Sequence, residues 1–440
     1  MPVNLFDANF YRAANSDLAS LDDAQALAHF QTNGLNEGRA FSPFANLSFY
    51  RANNSDLATL DNQQLLAHLQ NTGVAEGRRF SQFADLNYYL TLNPDLNQAF
   101  GGSREQAFEH LRNSGVNEGR SFSPFIDLNY YLSTNPDINQ ALGGNRGLAL
   151  QNLEIYGLRE GRQFSPAFDI NYYQTTYPDL ASAGLTTNPS LFDHWVTIGA
   201  PVDRRSGTPD PGNSLGAALN IGSLVTSSTL FNNSVGSSSD TLDYYSFSLS
   251  EPRNIFTQLS GLSADLDLVL LDSSGNVIEA SSGDGPAQET ILFSELSAGT
   301  YFFRVNQGVA AAASNYSLSV SVLPAQDPGN VLTAAYPVIN LFPPTNVQIR
   351  GLVGGSDTDD YYALNLTSTN SFGSALLTPF GSNADLYLLN ANGETIAFST
   401  AAGTAADSIP AVSLAAGTYF IRIPGGDTIT DYRLVFNTVV

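Results

Sequence analysis

The sequence predicts a multidomain α plus β chain, with α-helical tandem repeats over residues 1–205, a linker at 206–213, and two all-β sandwiches at 214–323 and 324–440. Three observations predict it. A unit of roughly 40 residues recurs about five times in the first half, a longer unit recurs twice in the second, and the apolar pattern changes between them from helical spacing to strict alternation.

The first helical unit runs Asp7, Phe10-Tyr11, Asn15-Ser16-Asp17, His29, Gly34, Glu37-Gly38-Arg39, Phe41-Ser42-Pro43. It returns with Asn46, Phe49-Tyr50, Asp56, His68, Gly73 and Arg78; with Asp85, Tyr88-Tyr89, Asn93-Pro94-Asp95, His110, Gly115 and Arg120; and with Asp127, Tyr130-Tyr131, Asn135-Pro136-Asp137, Gly157 and Arg162. The fifth opens with Asp169, Tyr172-Tyr173, Tyr177-Pro178-Asp179 and His194, then decays into Gly199-Ala200-Pro201-Val202-Asp203-Arg204, as a capping unit does.

Asp7 stands where an N-cap belongs, with the aromatic pair on the first inward turn. Asn-Pro-Asp breaks the chain and starts the next helix, because the residue before proline is pushed out of the α region. Apolar residues then recur through Ala24, Leu27, Ala28 and Phe30, and Gly34 reads as the helix stop. Each unit is thus two or three short helices whose Tyr, Phe and Leu positions are buried by stacking on the next unit.

Arg39, Arg78, Arg120 and Arg162 recur in every Glu-Gly-Arg, and an element copied in each unit reads as an intra-repeat salt bridge or carbonyl clamp. His29, His68, His110 and His194 recur at one repeat position, where the fourth unit has Asn152. A catalytic imidazole is needed once, with its partners, so these read as hydrogen-bonded structural residues. Trp195 is expected to seal the end of the repeat stack.

In the second half Asp210-Pro211-Gly212-Asn213 is echoed by Asp327-Pro328-Gly329-Asn330, Asp243-Tyr244-Tyr245 by Asp360-Tyr361-Tyr362, and Asp267-Leu268 by Asp385-Leu386. Ala298-Gly299-Thr300-Tyr301-Phe302-Phe303-Arg304-Val305 is matched by Ala416-Gly417-Thr418-Tyr419-Phe420-Ile421-Arg422-Ile423. Tyr316, Leu318, Val320 and Val322 alternate with serines, the signature of a half-buried strand. Asp272–Asn276 and Asn390–Glu394 are hairpin turns between apolar runs.

These motifs, in this order over about residues 208 to 440, resemble two copies of the bacterial pre-peptidase C-terminal domain. The resemblance implies small jelly-roll-like β-sandwiches, often appended to secreted hydrolases, some of which bind calcium or insoluble polymers. The helical units resemble the Asn-Pro-Asp and Glu-Gly-Arg repeats of large secreted calcium-binding and surface proteins of cyanobacteria and proteobacteria, which implies an extracellular setting.

Composition narrows the function. A hydrophobic share of 42% with 11% aromatics is that of a folded chain, not of an acidic disordered tail. The net charge of −23 repels phosphate backbones, so nucleic acid is not an expected partner. Every basic residue is Arg, and there is no Cys, which closes Schiff-base, thiol and disulfide chemistry. No apolar run is long enough to cross a membrane.

The start, Met1-Pro2-Val3-Asn4-Leu5-Phe6-Asp7, lacks the basic and apolar stretches of a cleaved signal peptide. The acidic, Lys-free, Cys-free composition is similar to substrates of signal-peptide-independent (type I) export, and the expectation is an extracellular or cell-surface protein. Nucleophile-elbow, zinc-helix, phosphate-loop and dinucleotide motifs are absent.

The chemistry that the carboxylates suggest is calcium. Asp240 and Asp243 with Asp265 and Asp267, echoed by Asp357, Asp359 and Asp360 with Asp385, offer the several hard oxygens this ion takes. The competing structural reading has Asp243 and Asp360 pair with Arg304 and Arg422 or cap turns, while Asp267 and Asp385 point outward from half-buried strands. No catalytic domain is legible ahead of the sandwiches, so enzyme activity is not expected. The expected function is structural or adhesive, in an extracellular layer, fibre or matrix, with self-assembly or a surface component as partner. The alternatives are a carbohydrate- or polymer-binding module and an accessory subunit of a secreted hydrolase.

Overall fold

A computed structural model describes residues 2–224, 227–236, 240–308, 312–324, 328–341, 345–366 and 370–439. The chain divides into two units, Met1–Pro209, which is helical, and Asp210–Val440, which is built from β-sheets.

In the helical unit each repeat begins with an N-capped helix. Asp7 accepts from Phe10 N, and Asn46, Asp85, Asp127 and Asp169 cap the corresponding helices. The second ring of each aromatic pair, Tyr11, Tyr50, Tyr89, Tyr131 or Tyr173, is fully buried. Asn-Ser-Asp opens a 3-10 turn in the first two repeats, whereas Asn-Pro-Asp opens an α-helix in the third and fourth, with proline at its first position.

A further helix follows, Asp23–His29 in the first repeat, and it does not stop at the glycine that the sequence marks. It widens into a π-helical turn, Phe30–Gly34, closed by Leu35 N–H to Phe30 O at 2.9 Å. Gly34 is there for space, because a Cβ on it would meet Tyr11 Oη at 1.9 Å. Gly73, Gly115, Gly157 and Gly199 stand against Tyr50, Tyr89, Tyr131 and Tyr173 in the same way. The left-handed stop is Gly38 of Glu-Gly-Arg, with φ +69°.

The repeats close and wind. Asp7 N–H donates to Phe41 O, and the equivalent bond recurs from Asn46, Asp85, Asp127 and Asp169. Val3 bonds Gln70 of the second repeat while Arg112 of the third donates to Asn4 O at 2.7 Å, so the first repeat touches both of the next two. Trp195 is buried, stacked on Phe168 at 4.3 Å and edge-on to Phe125 at 5.3 Å.

In the β unit the first copy comprises β1 (Leu219–Ser223), β2 (Ser227–Val235), β3 (Leu242–Leu249), β4 (Arg253–Ser260), β5 (Leu266–Asp272), β6 (Val277–Ser281), β7 (Gln288–Leu296), β8 (Gly299–Gln307) and β9 (Ser314–Pro324). The second comprises β10 (Tyr336–Leu341), β11 (Thr345–Val353), β12 (Asp359–Leu366), β13 (Asn370–Pro379), β14 (Leu386–Leu389), β15 (Thr395–Ser399), β16 (Asp407–Ile409), β17 (Val412–Leu414), β18 (Gly417–Pro424) and β19 (Thr430–Val439).

Each copy contributes one five-stranded sheet, ordered β1-β3-β8-β5-β6 and β10-β12-β18-β14-β15. The remaining strands of both copies join in a single nine-stranded sheet, β16-β13-β19-β11-β7-β4-β9-β2, with β17 also paired to β13. The join is a parallel ladder between β7 and β11, from Thr345 opposite Gln288 to Arg350 opposite Phe293.

Side chains explain the join. Along β4 both strand faces are buried, and Phe256 with Leu292 of β7 belongs to the core of the second copy, beside Val347, Ile349 and Leu377. Arg433 of β19 adds an ion pair to the buried Glu279 of β6 at 2.8 Å and a bond to Ala280 O.

Candidate metal centre

Strand alternation places the first carboxylate. Along β3, Asp243, Tyr245, Phe247 and Leu249 share the inward face, so Asp243 lies wholly buried at the start of the strand. Its Oδ2 accepts from the Tyr316 hydroxyl of β9, and Tyr316 is in turn bonded to Tyr245 Oη at 2.7 Å. The second copy repeats the arrangement with Asp360, Tyr432 and Tyr362.

Two further carboxylates converge on Asp243. The turn segment before β1 lies along the start of β3: Gly212, at φ +79°, accepts at its carbonyl from Tyr244 N, and Asn213 Oδ1 accepts from Thr241 N and Leu242 N. This sets Asp210 beside Asp240 and Asp243, with one carboxylate oxygen from each within 4.8 Å of the others. Burial, with the Asp210 and Asp240 charges adding to it, pushes Asp243 up to about 8 against the Tyr316 bond, and burial beside Asp210 raises Asp240 too.

The residues fit a hard cation. Asp243 Oδ1 and Asp240 Oδ1 are buried without a hydrogen-bond partner among the described residues, a costly state for an ionised oxygen that a bound ion relieves. With one oxygen from each, the three carboxylates supply three of the six to eight oxygens that calcium takes, so backbone carbonyls and water would complete the shell.

The structure groups the expected ligands differently. Asp240 and Asp243 meet Asp210, not Asp265 and Asp267. Asp265 is buried behind Gly308, where a Cβ would lie 2.2 Å from Oδ2, and Asp267 accepts from Asn306 Nδ2 at 2.8 Å. In the second copy Asp357 shapes the turn with Gly354, Asp385 accepts from Asn383 Nδ2, and Asp359, not Asp360, pairs with Arg422 at 2.5 Å. Arg304 likewise bonds Asn306 and not Asp243. Both aspartates expected on arginines face inward to tyrosines, because position i of a strand shares its face with i+2.

Sequence reasoning missed Asp210 by treating its segment as linker. The signal was its echo in Asp327, a residue that lies outside the described ones.

In the helical unit every repeated polar residue has a partner inside its own repeat. The imidazole Nδ1 of His29, His68, His110 and His194 lies 2.8–2.9 Å from the hydroxyl of Tyr11, Tyr50, Tyr89 and Tyr173. In the fourth repeat Tyr131 donates to Asn152 Oδ1 instead. Arg39, Arg78, Arg120 and Arg162 bridge the Glu of their own Glu-Gly-Arg to Asp17, Asp56, Asp95 and Asp137. These pairs are partly exposed and screened by solvent, so their value is in fixing the loop.

The fifth repeat does not decay in geometry. Arg205 takes the bridging role with Asp179 and Asp203, and Arg204, at φ +52°, occupies the left-handed position that glycine fills elsewhere.

Comparison with known proteins bears on the first sandwich. Residues 241–307 match the bacterial pre-peptidase C-terminal domain family. The matched stretch runs from β3 to β8 and contains Asp243. Among solved structures, the pre-peptidase C-terminal domain of a collagenase from Bacillus anthracis is 19% identical, with 23% of this chain and 91% of that one covered and a TM-score of 0.18. The periplasmic inhibitor of g-type lysozyme from Aeromonas hydrophila, PliG, is also 19% identical, over 23% of this chain and 95% of its own, with a TM-score of 0.18. The PBSX exported protein XepA is 12% identical, over 52% and 89%, with a TM-score of 0.19. No curated protein matches the chain. Among the described residues, no helix is long and apolar enough to cross a membrane.

Proposed function

We propose that this is a non-catalytic, secreted or cell-surface protein that acts structurally or adhesively, in an extracellular layer, fibre or matrix. The helical repeats supply its docking and assembly surface and the joined sandwiches a calcium-held head. One observation carries this reading. In all five repeats the residues with chemical potential are engaged by the same bonds, Tyr to His or Asn and Arg to two carboxylates, so a regular surface is multiplied. Multiplied weak contacts suit adhesion.

The pre-peptidase C-terminal match supports the secreted setting, and the composition supports signal-peptide-independent export. In the head, calcium on Asp210, Asp240 and Asp243 would displace the proton that Asp243 holds and fix the segment before β1 to the sandwich.

Light scattering and negative-stain microscopy of the purified chain at low salt, with and without millimolar calcium, test the reading. Fibres, sheets or defined oligomers are expected. A persistent monomer under both conditions overturns assembly as the function.

A further inference from the structure

The outward face of the second five-stranded sheet carries a row of flat side chains, one from each of four neighbouring strands. Tyr361 of β12 lies opposite Arg422 of β18, Arg422 opposite Tyr387 of β14, and Tyr387 opposite Phe398 of β15. The Arg422 guanidinium is 5.9 Å from the Tyr361 ring and 5.6 Å from the Tyr387 ring, and Tyr387 stacks on Phe398 at 5.8 Å with 16° between planes. Phe398 is 61% exposed.

The first copy serves as an internal control. By the same registers its row is Tyr244, Arg304, Val269 and Ala280. Tyr244 and Val269 are buried there, packed with Leu215, Leu242 and Phe302. The sandwich therefore forms without rings at the Tyr387 and Phe398 positions, and the exposed Phe398 stands where the first copy has Ala280.

We propose that this row is a binding strip for an uncharged polysaccharide chain. The inference deepens the reading of the protein as a non-catalytic surface protein, on which it rests, by naming a partner class. Strands about 4.8 Å apart put successive planar groups at close to the length one pyranose adds to a chain, and the strip extends about 14 Å, three such spacings. Ring faces stack on the apolar faces of sugars, while the tyrosine hydroxyls and the Arg422 fork bond the hydroxyls at their edges. Asp359 neutralises Arg422, so the strip offers no free charge, and the net charge of −23 repels polyanions. Uncharged chains fit both facts.

The test is affinity electrophoresis of the full chain in gels containing xylan, mixed-linkage β-glucan or dextran, with co-sedimentation on cellulose and chitin, all at fixed millimolar calcium. Retention by at least one of these is expected. Tyr387→Ala/Phe398→Ala should weaken it by about ten-fold or more, the scale of losing stacked rings, whereas Phe398→Tyr should keep it and Val331→Ala, at an exposed residue outside the row, should not change it. Phe398→Ala alone, at so exposed a position, keeps the test sound if the double variant misfolds. Wild-type protein retained by none of the five, or a double variant retained as tightly as wild type, overturns the strip, as does retention on immobilised gelatin in place of any polysaccharide. Light scattering of the same variants separates the two readings, because the strip can fail while assembly persists.

Discussion

In the first sandwich the outer face of β4 and β7 is apolar and covered, through Phe256 and Leu292, whereas the second sandwich has Ser374 and Pro410, both exposed, at the corresponding positions. The outer faces of the five-stranded sheets differ in the opposite sense: in the first Tyr244, Val269 and Leu271 are buried, whereas in the second Tyr361 and Tyr387 are half-buried and Phe398 is exposed. What both copies keep is the inward Asp-Tyr-Tyr chain, the asparagine that caps the start of the third strand, and the glycine before it at φ +79° and +86°. The shared features build a sandwich; the differences assign tasks. The first copy carries the joining face, and the second leaves Ser374 and Pro410 exposed on the equivalent one.

The sharpest way to break this contrast is to place a charge on each version of the joining face. Phe256→Asp buries an unpaired carboxylate against the second core and should cost about 4 kcal/mol or more, and Ser374→Asp, at an exposed site, should stay within about 0.5 kcal/mol. Urea unfolding of the two variants checks both. Arg433→Ala comes next, at about 3 kcal/mol, because it leaves Glu279 buried without its cation; Glu279→Gln should cost less. Smaller still, Tyr316→Phe and Tyr432→Phe should each cost about 1–2 kcal/mol through the lost bond to a buried carboxylate. If Asp243 holds an ion, Tyr316→Phe should also lower the calcium response.

Much of this architecture was legible in the sequence. The N-caps, the hairpin glycines and the inward tyrosines follow from local rules that act within a few residues. What escaped is set by contacts made across a repeat. Gly34 looks like a helix stop because a C-terminal glycine usually is one, and only the arrival of Tyr11 Oη, 23 positions earlier in the chain, makes it a spacer. The Tyr-to-His pairs span 18 to 21 residues and depend on the π-helical turn, which no composition rule announces. Arg205 was hidden by a one-residue insertion that made Asp203-Arg204 look like a ruined Glu-Gly-Arg. The join of the two sheets was invisible because Phe256 reads as one more strand residue until both strand faces are known to be covered.

The Asp210, Asp240 and Asp243 cluster carries a pH dependence of definite sign. The folded carboxyl of Asp243 is raised above its unfolded value, so the stability associated with it is fully present below about pH 4 and is lost as the pH rises toward 8. In the proposed reading calcium takes the place of the proton. The calcium-induced rise in melting midpoint should therefore grow between pH 5 and pH 8, with protons released on binding.

The most direct measurement is calorimetric titration of calcium into the chelator-treated full chain at pH 7.5 in buffers of different ionisation heat, for wild type and Asp243→Asn. The account predicts saturable binding with proton release in the wild type and a loss of at least about ten-fold in affinity in the variant, as expected when a charged ligand is removed. No binding heat in the wild type, or unchanged affinity in Asp243→Asn, would contradict it.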